Sequence, residues 1–298
     1  VNGATVSGTA AVGPADAEPA DAAAYRREID AWQAQRLEKL TAPDGWLTLV
    51  GLYRLEPGTH RLGSGRGCDL QLVDAAPSVI GELTISATGV KLAVKPGVEL
   101  YANRTRVRTV DPVQLLTDAD VTPTVCRVGS VSFQIIERGG VRFLRVRDAE
   151  SDVRRRFQGI PRFPVDRGWR VTARLEPTRR PQTVDVTNVL GQTEPQPTPG
   201  KLVFELAGRR CELTPVGGPG EPLFIVFADS SNGVTTYEGG RFLSAEPPGD
   251  DNTVVLDFNR AINPPCAFTH YATCPLPPRE NHLPLSVNAG ERKWQEAP

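Results

Sequence analysis

The chain has 298 residues, with 34 lysines and arginines against 35 aspartates and glutamates and a formal net charge of −1. This length buries a core without covalent staples. The balanced charge gives no footprint for nucleic acid or an acidic membrane surface, and no apolar run approaches the ~20 residues that span a bilayer.

Residues 1–24 are rich in Ala, Gly, Pro, Asp and Glu and lack the basic and apolar regions of a secretory signal, so they read as a disordered leader. Methionine is absent even at position 1, which fits a removed initiator or signal segment, or a non-standard start codon translated literally. Five cysteines, an odd number, fit a reducing compartment better than a disulfide framework, and the expected location is the cytoplasm. The first regular element predicted is a helix from Ala22 to Leu40. Asp21 caps its start, and Tyr25, Ile29, Trp32, Leu37 and Leu40 fall near one face.

From Trp46 the period changes to short β-branched or alternating runs between Gly, Pro and Asp turns, the pattern of antiparallel sheets. Predicted strands cover 46–53, 59–62, 70–72, 81–86, 90–94, 105–110, 131–137 and 141–147, and then 169–175, 183–186, 201–206, 209–215, 223–228 and 254–258. Gly139-Gly140 marks the clearest hairpin and Ala207-Gly208 another turn. Arg154-Arg155-Arg156, beside Asp148, Glu150 and Asp152, reads as a solvated loop with local ion pairs. The predicted class is mainly β, an antiparallel sandwich or barrel-like fold with an N-terminal α-helix. Residues 25–294 form a single unit of two β layers, and any subdivision falls near 156–168. Cys68, Cys126 and Cys211 are taken as core residues, and 291–298 as a solvated end.

The run Leu256-Asp257-Phe258-Asn259-Arg260-Ala261-Ile262-Asn263-Pro264-Pro265-Cys266-Ala267-Phe268, continuing through Tyr271 and Cys274-Pro275-Leu276-Pro277-Pro278 to Glu280-Asn281, resembles the closing signature of DUF1684, a bacterial family of unknown function. Asp44-Gly45-Trp46-Leu47-Thr48-Leu49-Val50-Gly51-Leu52, Arg145-Val146-Arg147-Asp148, Phe163-Pro164-Val165 and Gly240-Arg241-Phe242-Leu243 are similar to the same family in the same order, so the resemblance spans residues 25 to 294. It implies no chemistry. His270 departs from the family pattern, which has a proline or other small residue there. A fainter similarity of 61–72 to the start of a forkhead-associated domain lacks the histidine expected after Ser78, and a glycine-rich β-turn accounts for that segment.

A strand ending in Asp, Asn and Arg before a proline-stiffened turn places polar side chains on rigid backbone, as binding and catalytic sites do. If residues 254–260 are extended, Asp257 and Asn259 lie side by side on one face. They can hold a ligand, assist proton transfer or coordinate a metal, or they can tie down the Asn263-Pro264-Pro265 turn. Cys266, after two prolines, reads as a nucleophile if a histidine lowers its pKa, as a small buried hydrophobe, or as a disulfide partner of Cys274. Cys266, His270, Cys274 and His282 make a chemically complete zinc set without the close Cys-x-x-Cys spacing of strong motifs, and no metal is assigned. Arg241, after two glycines, reads an anion or pairs with Asp229 or Asp257. The expected function is binding of a small polar or anionic molecule in a pocket built by the C-terminal motif, with Tyr237, Arg241, Asp257, Asn259, Arg260 and Asn263 as ligand contacts. The alternative is a hydrolase or transferase using Cys266 as nucleophile or Asp257 as general base. No cofactor is identified.

Overall fold

The computed structural model describes residues 20–107, 111–218 and 220–296. Its first element is α1 (Ala20–Thr41), with Asp21 in the first turn and Lys39 in the last, where each charge complements the helix dipole. The end of the expected leader is thus helical, and residues 1–19 lie outside the described residues. Tyr25, Ile29 and Leu40 are buried, as the 3.6-residue period requires.

Trp46–Thr48 does not begin a strand as predicted; it forms a 3-10 turn that leads into β1 (Leu49–Arg54). The N-terminal half continues through β2 (Gly58–Gly63), β3 (Leu70–Gln71), β4 (Gly81–Ser86), β5 (Gly89–Val94), β6 (Tyr101–Ala102), β7 (Thr105–Arg106), β8 (Val113–Leu115), β9 (Val125–Val128), β10 (Val131–Arg138) and β11 (Val141–Asp148). The predicted strand at 105–110 keeps only β7, and 108–110 fall outside the described residues. One sheet runs β1-β11-β10-β9-β6-β7 and the other β3-β2-β4-β5-β8. In β4 every second residue is buried, so Leu83 and Ile85 face inward against Leu62, Leu92, Phe133 and Leu144. Each such side chain contributes about 1.5–3 kcal/mol of burial. Gly139 and Gly140, with φ of 54° and 70°, close the β10–β11 hairpin in the backbone conformation that its twist demands.

After α2 (Asp152–Arg156), where the basic triplet lies, the second half comprises β12 (Arg170–Thr187), β13 (Thr193–Leu206), β14 (Arg209–Leu213), β15 (Leu223–Asp229), β16 (Arg241–Ala245), β17 (Thr253–Asp257) and β18 (His282–Leu283). The two strands expected at 169–175 and 183–186 are one continuous β12, which tolerates a register irregularity between Pro177 and Gln182. The sheets run β14-β13-β12-β17 and β16-β15-β18 and enclose a separate core of Ala173, Leu202, Phe204, Phe227, Leu256 and Phe258. Phe227 and Phe258 meet edge to face at 5.6 Å. Along 193–200, β13 has among the described residues no strand neighbour but β12, and it carries Pro195, Pro197 and Pro199 at alternate positions.

The fold is therefore mainly β, with antiparallel pairing except at β2–β3 and β15–β18. Among the described residues no sheet closes into a barrel, and no helix is long and apolar enough to cross a membrane. Cys126 and Cys211 are buried as expected, whereas Cys68 is half-buried.

Candidate functional site

Extended backbone ends at Asp257, so the alternation predicted through Arg260 stops there: Phe258–Arg260 is a 3-10 turn, and Phe258 and Asn259 are both buried. Asp257 caps that turn by accepting from the Asn259 backbone N–H at 3.1 Å. Its carboxylate oxygens each lie 2.8 Å from the Tyr25 hydroxyl of α1. Asn259 Nδ2 donates to Tyr25 Oη at 3.0 Å and to the Asp166 carbonyl at 2.8 Å. Burial, then the hydrogen bond and charge of Asp257, push the Tyr25 hydroxyl pKa up. Arg260 pairs with Glu28 and lies over the Trp32 ring, 5.8 Å from its centroid. These three motif residues hold α1 to the end of β17. Tyr25→Phe removes a donor from a buried carboxylate and is expected to lower stability by about 1.5–3 kcal/mol, read as a shift in urea midpoint at unchanged slope.

Asn263 is fully buried; its N–H donates to Glu291 Oε2 at 2.7 Å and its Nδ2 to the Arg292 carbonyl at 2.8 Å, while its Oδ1 has no partner. The expected solvated end at 291–298 thus begins with a carboxylate in the interior. Burial pushes the Glu291 pKa up, and Arg36, 3.4 Å away, opposes that rise. Arg241 opens β16 and is also fully buried, with Asp229 at 2.7 Å and the Val287 carbonyl at 2.8 Å. Tyr237 donates its hydroxyl to the Cys266 carbonyl at 3.2 Å. The predicted site residues therefore gather in separate groups, and of them only Cys266 lines one of the larger clefts.

That cleft, about 600 Å³, also contains Phe268, Thr269, His270, Tyr271 and Trp294. His270 is exposed, and among the described residues no hydrogen bond joins it or His282 to Cys266. Cys266, His270, Cys274 and His282 do not gather into a metal-ligating group among the described residues. The Cys266 backbone N–H donates to Cys274 Sγ at 3.2 Å, and all five thiols are free.

A second cleft, of about 730 Å³, lies over the face of the first sheet and is lined by Arg104, Arg127, Arg145, Arg147, Ser132, Gln134, Asn103 and Tyr101, with Asp44 as its one carboxylate. Strand register builds it. Ser132 pairs with Arg147 and Gln134 with Arg145 across β10–β11, Ser132 with Arg127 across β9–β10, and Tyr101 with Arg127 across β6–β9, so one face collects these side chains. Arg145 is 5% exposed; it donates to Thr273 Oγ1 at 3.1 Å and leaves its Nε without a partner. Arg147 donates to the Gly45 carbonyl at 2.7 Å. The two guanidinium carbons lie 5.5 and 5.2 Å from the centroid of Trp46, which the 3-10 turn presents to them.

Among the described residues neither arginine has a carboxylate at ion-pair distance. Burial, and then repulsion by Arg138 and Arg147, lower the Arg145 pKa to about 10, with Asp118 opposing. Burial lowers that of Arg147 as well, with Asp44 opposing. The group remains protonated at neutral pH, but in a setting that disfavours its charge. No contiguous motif marks this face, because its residues are scattered from 101 to 147 and meet only through pairing. The usable signal was Arg145 and Arg147 at alternate positions of one predicted strand.

Residues 155–292 match a family described as "Protein of unknown function (DUF1684)". An uncharacterised protein of Haloarcula marismortui solved by solution NMR is 33% identical over 47% of this chain and 78% of that one, with a TM-score of 0.40. No curated protein matches the chain.

Proposed function

The chain belongs to the DUF1684 family, whose description assigns no activity, and from the chain's own geometry we propose that it binds a small anionic molecule on the arginine face of the first sheet. The observation that carries this reading is the pair of guanidiniums, Arg145 buried and Arg147 half-buried, that line an open cleft with no carboxylate paired to either among the described residues. Uncompensated buried charge is costly, and such groups concentrate at functional sites. An anion would relieve the repulsion between the two and accept charge-assisted hydrogen bonds from planar donor groups. Arg127 and Arg104 at the rim add attraction that salt screens. The C-terminal motif takes part through Thr273, which fixes the Arg145 guanidinium. Five free thiols fit a reducing compartment, the cytoplasm.

Isothermal titration with inorganic phosphate and with a small dicarboxylate, at low ionic strength, tests this reading. The native protein is expected to bind one of them, and Arg145→Gln and Arg147→Gln each to weaken that binding roughly tenfold to a hundredfold, the loss of one hydrogen bond to a charged group. A native protein that binds neither anion, or variants that bind as well as the native protein, would sink the proposal. Turnover by Cys266 or Asp257 is the second reading. Asp257 is engaged by Tyr25 and lines none of the larger clefts, whereas Cys266 opens on one.

A further inference from the structure

We propose that Cys266 and Cys274 form a peroxide-reactive thiol pair, in which Cys266 attacks a hydroperoxide and Cys274 resolves the product as an intramolecular disulfide. Three features of the site support it, independently of the anion-binding face.

The first is accessibility on one side only. Cys266 is half-buried and lines the 600 Å³ cleft beside Thr269 and His270, while Cys274 is 4% exposed, behind it. A peroxide entering the cleft meets one sulfur and not the other. The second is fixed proximity: Pro264 and Pro265 stiffen the turn that carries Cys266, and its backbone N–H rests on Cys274 Sγ at 3.2 Å. The third is polarity. The Cys274 thiol hydrogen-bonds to the Cys266 sulfur and lowers the Cys266 pKa against the effect of burial, and Tyr237 adds to the lowering. That same bond, with burial, pushes the Cys274 pKa well up. Cys266 is therefore the more acidic thiol of the pair and Cys274 the one that holds its proton, the division of labour that attack and resolution require.

The chemistry balances with a hydroperoxide as the oxidant. The Cys266 thiolate attacks the terminal peroxide oxygen; the S–O bond forms and the O–O bond breaks. Sulfur is oxidised to sulfenic acid, and the leaving alkoxide takes a proton to become an alcohol. The Cys274 sulfur then attacks the Cys266 sulfur; the S–S bond forms, the S–O bond breaks, and hydroxide leaves with the Cys274 proton as water. Two thiols and one hydroperoxide give one disulfide, one alcohol and one water. A dithiol reductant reverses the change by exchange.

Reduced native protein treated with stoichiometric hydrogen peroxide, then alkylated and mapped by mass spectrometry, tests the proposal. A disulfide between the peptides carrying Cys266 and Cys274 is expected, formed at least about tenfold faster than any oxidation of half-buried Cys68, which serves as internal reference. In Cys274→Ser, Cys266 is expected to stop at the sulfenic acid and to be captured by a cyclic dione. In Cys266→Ser, Cys274 stays reduced. Cys266 reacting no faster than Cys68 in the native protein would overturn the proposal without recourse to any variant. Equal peroxide consumption by native protein and a folded Cys266→Ser variant would overturn it too.

Discussion

Arg241→Met is expected to lower the unfolding free energy by about 3–5 kcal/mol, the cost of leaving one member of a buried ion pair without the other. Arg241 and Asp229 are both fully buried and meet at 2.7 Å. Asp229 also accepts from the backbone N–H groups of Ser231 at 2.8 Å and Val287 at 3.2 Å, so the carboxylate cannot turn toward water when the arginine goes. The guanidinium, for its part, holds the carbonyls of Val287 and Ala289 and so joins β16 to the last stretch of the chain. Asp229→Asn keeps an acceptor for the two N–H groups while removing the charge, and the double variant Arg241→Met/Asp229→Asn is expected to be more stable than Arg241→Met alone. Urea denaturation of the four proteins in the cycle measures this. A double variant no more stable than Arg241→Met would show that packing, not unpaired charge, sets the cost.

Alkaline solution is expected to remove a comparable amount of stability through Cys126. Burial raises its thiol pKa from 9.0 to about 12. In that interval the unfolded chain releases the proton and the folded chain retains it, so the unfolded state binds fewer protons. The stabilisation is fully present below the unfolded pKa and is lost as pH rises through the folded one. Each pH unit corresponds to about 1.4 kcal/mol, so this single thiol accounts for about 4 kcal/mol over the interval. Tyr25 and Tyr237, also raised chiefly by burial, add to the loss in the same direction. Cys126→Ala is expected to be less stable at neutral pH, because it opens a cavity, yet to lose stability less steeply from pH 9 upward. Equal slopes in the two proteins would refute the assignment to Cys126.

The strands that alternate cleanly were legible because one face of each is buried. β4 is the plain case, and its predicted bounds match the observed Gly81–Ser86. β6 and β18, each two residues long, leave no period to detect, and their pairing is imposed from outside by β9 and β15. Trp46–Thr48 carries strand-like residues but turns, since Thr48 Oγ1 donates to the Gly45 carbonyl and the local bond wins over propensity. The closing motif pointed to a concentration of polar side chains, and Asp257, Asn259 and Asn263 are buried in hydrogen bonds to other parts of the chain. What residue types along a chain do not reveal is which polar groups partner one another. The partner of Asp257, Tyr25, lies in α1, where nothing in the motif points, whereas Asp229 is one of the two carboxylates expected for Arg241 and is the one it meets. The arginine face had the opposite problem, since its members are ordinary surface residues until register brings them together.

The alternate prolines of β13 bear on how this chain behaves in a crowd. The Pro197 carbonyl points away from β12, where it accepts from the Gly217 N–H at 3.0 Å, and Pro195 shares its parity along the strand, while Pro199 lies where the register shifts. The outward edge therefore lacks amide donors at Pro195 and Pro197. A strand from a second molecule that approached it would find acceptors without the matching hydrogens and could not zip along it. In a protein built from so many short, open-edged sheets, a long and otherwise inviting border is made unfit to template fibrils.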